Sequence, residues 1–272
     1  ATLLEGEADI AVHSFKDLPT GRPLGLAIGA VPARADPRDA LVARDGLTLH
    51  DLPQEASVGT GSPRRAAQLL AVRPDLTIVD IRGNVDTRLG RVKGLGHYAK
   101  GGGKEDLDAV VLAASGLARL GHSGTVTEFL DPSVVLPAPA QGALAVECRT
   151  ADSRHGKLAK ALARIDDRRT RLAATAERAV LSHLEAGCAA PIGALAQLKP
   201  VSGSSPQVLT LDVVVATVDG SRIIREQVSV ELPAEVDSAL AAAHTLGVTA
   251  AEELLDDGAA DVADLKASGS TR

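Results

Sequence analysis

The chain has 272 residues, a formal net charge of −6 and 45% hydrophobic residues, with one tyrosine, two phenylalanines and neither tryptophan nor methionine. That length predicts two or three domains of about 100 to 200 residues each, with cores built almost wholly from Leu, Val, Ile and Ala. The acidic balance argues against a nucleic-acid binder, which presents a basic face, and no apolar run approaches the roughly 20 residues that cross a bilayer. Cys148 and Cys188 lack metal-ligand spacing and fit a reducing cytoplasm rather than a disulfide scaffold.

In chain order, "ATLLEGEAD" reads as the end of a helix, which predicts that an N-terminal segment is missing. Short aliphatic runs follow: "ADIAVHS", "LAIGAVP", "DALVAR", "TIVDIR", "DAVVLAA" and "ALAVECR". They alternate with the helical patterns "SPRRAAQLLAV" and "NVDTRLGRVKG". Alternation of this kind predicts α/β domains with mainly parallel, buried strands over the first 150 residues. From "DDRRTRLAATAERAVLSHLEAG" onward the pattern changes to a long helix and a hairpin turning at Asp219 and Gly220, then an Ala-rich helix. This predicts a smaller α+β domain, followed by a disordered tail, "KASGSTR".

Three stretches carry chemistry. "AVHSFKDLPTG" ends a strand with His13, Ser14, Lys16 and Asp17 close together before Pro19 and Gly21 turn the chain. "SVGTGSPRRAAQLL" ends a strand at Gly59, offers Thr60 and Ser62 hydroxyls, and starts a helix at Pro63 with Ser62 as N-cap. The free N–H groups of a helix start favour an anion, and Arg64 and Arg65 add fork-shaped donors. "DIRGNVDTRLGRVKG" places Arg82 at a second strand end, with Arg88 and Arg91 on the next helix. In open α/β sheets ligands lie beyond the carboxyl ends of strands, so two arginine-bearing ends point to a polyanionic ligand. Arg119 is either a further member or a helix-dipole complement.

Other features point to no site. "KGGGK" lacks the ending of a phosphate loop, the seven histidines show no paired ligand spacing, and no metal site is expected. Glu177 and Glu185 read as a solvated helix face. Cys188, between Gly187 and Pro191 in "EAGCAAPIG", reads as a loop cysteine, either an inert thiol or the carrier of a covalent group.

Together, "AVHSFKDLPT", "VGTGSPRRAAQLL", "IRGNVDTRL", "LAASGLARLG", "LPAPAQGALAVECR" and "TAERAVLSHLEAGCAAPIGA" resemble, in this order, the porphobilinogen deaminase (hydroxymethylbilane synthase) family. The resemblance implies two periplasmic-binding-protein-like α/β domains, at 1–33 with 134–160 and at 34–133, plus a smaller C-terminal α+β domain at 161–272. It implies a cytoplasmic monomer that condenses four porphobilinogen molecules with release of ammonia, on a dipyrromethane cofactor attached to Cys188 by a thioether. Asp17 takes the catalytic role. Ser14, Lys16, Thr60, Ser62, Arg64, Arg65, Arg82 and Arg88 match cofactor-binding positions, and Arg82, Arg88 and Arg119 match substrate-binding ones. The resemblance also implies that the chain starts after the family's first strand and helix and that its loop at residues 94–105 is longer than the family's. A non-catalytic solute-binding module for a polycarboxylate is the competing reading, and it gives Cys188 no role.

Overall fold

The protein is described from a computed structural model, which covers residues 2–21, 23–184, 190–199 and 207–263. The strands are β1 (Ile10–Ser14), β2 (Leu26–Ala30), β3 (Asp39–Ala43), β4 (Ser57–Gly59), β5 (Thr77–Val79), β6 (Ala109–Ala113), β7 (Glu128–Phe129), β8 (Leu144–Arg149), β9 (Ile192–Leu198), β10 (Gln207–Ala216) and β11 (Ile223–Leu232). The helices are α1 (Pro63–Val72), α2 (Val85–Leu89), α3 (Ala114–Arg119), α4 (Gly156–Ile165), α5 (Arg168–His183), α6 (Val236–Asp256) and α7 (Ala259–Val262). The strands form three sheets, ordered β1-β8-β2, β5-β4-β6-β3-β7 and β11-β10-β9.

The expectation of mainly parallel strands is corrected. Parallel pairing joins β4 to β5 and β4 to β6, and every other strand pair is antiparallel. A parallel pair needs a crossover, and helices α1 and α2 supply it between β4, β5 and β6. β3 and β7 lie next to the segments that enter and leave the second sheet, and they run against their neighbours. Composition alone misled here, because β3 is buried along its whole length and so reads like a parallel strand.

The opening segment also differs from its helical reading. Residues 2–6 form turns, closed by hydrogen bonds from Gly6 N to Leu3 O and from Glu7 N to Thr2 O, with Gly6 at φ +78°. The hairpin does turn at Asp219 and Gly220, where Gly220 N donates to Thr217 O.

The cores are aliphatic, as the composition requires. Leu41, Val58, Leu69 and Val111 fill one face of the second sheet, and Val42, Ile81, Val110 and Leu117 fill the other. The third sheet packs Leu209, Leu211, Val213 and Val215 against Leu172, Ala176 and Val180 of α5 and against Leu246 and Ala250 of α6. No helix among the described residues is long and apolar enough to cross a membrane.

Candidate functional site

The segment after β1 is fixed by one aromatic side chain. Phe15 N donates to Ala143 O, and the buried Phe15 ring lies under the Arg178 guanidinium at 4.6 Å. A single 3-10 turn, Phe15–Asp17, then leaves Lys16 half-buried and Asp17 exposed. Lys16 Nζ donates to Gln141 Oε1 at 3.3 Å. Burial lowers the pKa of Lys16, and the positive charge of Arg65 lowers it further, against an opposing pull from Asp17 and Asp39.

Helix α1 begins as its sequence predicts, with Pro63 in the first turn, but the Ser62 hydroxyl does not cap it. Instead the Ser62 amide donates to Thr60 Oγ1 at 3.2 Å. Arg64 and Arg65 are 4% and 6% exposed, and both meet Asp39, which heads β3 and is 0% exposed. Arg65 donates to Asp39 Oδ1 from Nε at 2.9 Å and from Nη2 at 2.7 Å, and its Nη1 donates to Val111 O. Arg64 Nη1 donates to Leu136 O at 2.5 Å and stands 2.9 Å from Asp39 Oδ2, which has this ion-pair contact without a directed hydrogen bond. Burial pushes the Asp39 pKa up, but Arg64 and Arg65 together outweigh it and hold the carboxyl far below the usual carboxylate range. Burial also lowers the Arg64 pKa, with Asp39 opposing.

Gln141 joins these groups. Its Nε2 donates to Asp39 Oδ1 and to Pro37 O, each at 2.8 Å, while its Oε1 accepts from Lys16. Its backbone carbonyl accepts from Arg34 Nε at 2.7 Å, and Arg34 grips Glu177 bidentately at 2.6 and 3.0 Å. Glu177 is wholly buried and also accepts from the amides of Ala140 and Ala196. The solvated-face reading of Glu177 is therefore corrected: this carboxylate ties α5 and β9 to the segments that link the first two sheets. Glu185 lies outside the described residues.

The other candidate residues are placed more loosely. Thr60 is buried, with its amide on Val79 O. Arg88 is half-buried on α2, its Nε on Gly83 O at 2.9 Å, and its pKa is lowered by burial and then by the charge of Arg65. Arg82 follows β5 with its side chain 92% exposed, 3.7 Å from Asp80. Arg119 is exposed at the end of α3 and makes no hydrogen bond or ion pair among the described residues. Ser14 closes β1 opposite Leu144. Cys188 lies outside the described residues. A cavity of about 520 Å³, lined in part by Phe15, Leu18, Thr20, Glu147, Arg178 and His244, opens beside the 15–17 turn, and none of the candidate residues lines it.

Sequence reasoning missed Asp39, Gln141, Arg34 and Glu177. Asp39 carried a usable signal, since a carboxylate heading an otherwise apolar buried strand must find a cation. Gln141 carried none, because its partners lie 102 and 125 residues away.

The donor set fits a ligand with several carboxylates. Burial is the first cause of the lowered pKa values of Lys16, Arg64 and Arg88, and each also feels the positive charge of Arg65, so four cations stand close to the one buried carboxylate of Asp39. Nε and Nη2 of Arg64 donate to no group among the described residues. Strand-end cations between two α/β sheets, beside a smaller α+β unit, define a protein that holds an anionic small molecule. Residues 1–157 match the family model described as porphobilinogen deaminase, dipyromethane cofactor binding domain, and residues 171–256 match the porphobilinogen deaminase C-terminal domain. The porphobilinogen deaminase of Cutibacterium acnes is 96% identical over 272 residues, covering 100% of this chain and 81% of that protein. Those of Micrococcus luteus and Thermobifida fusca are each 50% identical, over 95% and 98% of this chain and 77% and 78% of their own lengths. The chain belongs to the porphobilinogen deaminase family, transferases that condense four porphobilinogen molecules to hydroxymethylbilane in tetrapyrrole biosynthesis.

Proposed function

We propose that Asp17 is the catalytic carboxylate of this deaminase and that Cys188 carries its dipyrromethane through a thioether bond. Ser14, Lys16, Thr60, Ser62, Arg64, Arg65, Arg82 and Arg88 hold the cofactor, with Arg82, Arg88 and Arg119 also taking substrate carboxylates. The observation that carries this reading is the gathering of Arg64 and Arg65 at one buried carboxylate, Asp39, which Lys16 approaches through Gln141 from the segment that ends in Asp17. Each pyrrole unit bears two carboxylates, so a growing chain needs several arginines. When bound, the dipyrromethane supplies the carbon nucleophile to which porphobilinogen adds. The exposed Asp17 carboxylate accepts from pyrrole N–H groups and stabilises the positive charge that develops on the substrate as ammonia leaves. Asp39 anchors Arg64 and Arg65, so their remaining N–H groups are aimed before a ligand arrives.

On this reading the domains are residues 1–33 with 134–160, 34–133 and 161–272, and the enzyme works as a cytoplasmic monomer without nucleic acid or membrane. Nothing in the fold or the relatives favours a non-catalytic solute-binding module. Intact mass spectrometry of freshly purified protein tests the proposal: a dipyrromethane adduct is expected and should vanish in Cys188→Ala. A bare thiol in the unaltered protein refutes the covalent assignment.

A further inference from the structure

The turn joining β10 to β11 rests directly on α1. Gly220 sits there at φ +71°, and a Cβ at this position would fall 2.3 Å from Ala67 O and 2.9 Å from Ala71 N. Arg225 on β11 reaches the same helix. Its Nη2 donates to Gln68 Oε1 at 3.1 Å and to Val134 O at 3.2 Å. Burial lowers its pKa, with Asp212 opposing at longer range, and no carboxylate among the described residues comes within ion-pair distance. Arg225 belongs to the exposed face of β11, yet its guanidinium is turned onto two neutral oxygens rather than left to solvent or a carboxylate.

Those oxygens lead to the arginine pair. Gln68 is buried and its amide is saturated: Nε2 donates to Arg64 O and Leu136 O, while Oε1 accepts from Leu136 N and Arg225. Leu136 O also accepts the 2.5 Å hydrogen bond from Arg64 Nη1. The Leu136 side chain packs on Leu195 and Val214 of the third sheet. A Cβ on Gly193 would come within 2.8 Å of Leu136 O, and Ala194 N donates to Pro137 O. The carbonyl that orients Arg64 is therefore held from two directions by β9, β10 and β11.

We propose that Arg225 is a positioning residue for the deaminase reaction: by holding Gln68 and the 134–136 segment, it lets the third sheet set the orientation of Arg64. The inference rests on the ligand-binding role proposed for Arg64. It gives the third sheet, whose strand β9 follows the segment bearing Cys188, a part in shaping the arginine site as well as in carrying the cofactor.

The test compares Arg225→Ala, Arg225→Lys, Arg64→Lys and the core variant Val213→Ala in freshly purified protein, reading the fraction that carries the dipyrromethane adduct by intact mass spectrometry, and the thermal midpoint. Arg225→Ala should lower the loaded fraction about threefold, and Arg225→Lys, which keeps the charge without the planar fork, should lie between it and the unaltered enzyme. Val213→Ala should lower the midpoint without moving the loaded fraction. Arg225→Ala combined with Arg64→Lys should lower loading by less than the product of the single effects, since both act on one carbonyl. Arg225→Ala and Arg225→Lys variants that lose thermal stability as Val213→Ala does, with loading unchanged, overturn the proposal while leaving the role of Arg64 intact. Unchanged loading in Arg64→Lys overturns both readings.

Discussion

The two arginine-bearing strand ends of the second sheet treat their guanidinium groups in opposite ways. After β4, Arg64 and Arg65 are buried and share Asp39, with Gln141 adding a further hydrogen bond to Oδ1. After β5, Arg82 extends into solvent with a loose 3.7 Å approach to Asp80. The motifs look alike in sequence, yet the first arrangement has already met the cost of ordering and desolvation and the second has not. A permanently attached cofactor suits the first. A substrate chain that lengthens suits the second, because an exposed arginine can follow it.

That contrast breaks most sharply at Asp39. Asp39→Asn leaves two buried guanidinium groups without a counter-charge, and it should cost about 3–5 kcal/mol of stability, read as a lowered urea midpoint. A loss below about 1 kcal/mol would mean that Arg64 and Arg65 are not held as described.

Asp17→Asn should do the reverse. Asp17 is exposed and its carboxylate makes no hydrogen bond or ion pair among the described residues, so the urea midpoint should stay put. Removing the carboxylate proposed to face developing positive charge should lower kcat by about 10²- to 10³-fold, the usual cost of deleting one such electrostatic partner. Wild-type turnover in Asp17→Asn would refute its catalytic role.

Arg82→Ala should have a smaller effect: KM for porphobilinogen raised several-fold, about 10-fold at most, with no change in stability, and a difference from the unaltered enzyme that shrinks as salt is added. A stability loss comparable to that of Asp39→Asn would erase the distinction between the two strand ends.

How much of this was legible in the sequence follows the range of each interaction. Local signals served well: Pro63 marks the start of α1, the turn at Asp219 and Gly220 stands where its residues put it, and the short Val/Ile/Leu runs are strands. Strand direction was not local, and neither were the electrostatics. Glu177 sits on a helix rich in Arg and Ala whose spacing looks solvated, yet it receives Arg34 from 143 residues away and two backbone amides. The arginine pair could be read as a ligand site, but not as a pair fixed by Asp39 and Gln141, because both partners come from other segments of the chain.

Lys16 stands between the two halves and gives the smallest and most diagnostic effect. Lys16 is half-buried near Arg65, so it holds its proton less firmly than the ordinary lysine value of 10.5 implies. In the free enzyme, raising pH through that lowered value removes a cation from the carboxylate site, so the alkaline limb of kcat/KM should begin below 10.5. Lys16→Arg keeps a charge that does not titrate in this range and should carry the limb upward, with KM at neutral pH changed only modestly. The stability linkage runs the other way. The unfolded chain binds the lysine proton more readily than the folded one, so between the folded value and 10.5 this group makes folding stability rise with pH. Bound carboxylates favour the ammonium, so cofactor-loaded enzyme should show a weaker rise than Cys188→Ala protein, a difference that denaturant titrations at neutral and alkaline pH would measure. Equal slopes in the two forms would place Lys16 outside the carboxylate site and leave the cations of α1 to hold the cofactor without it.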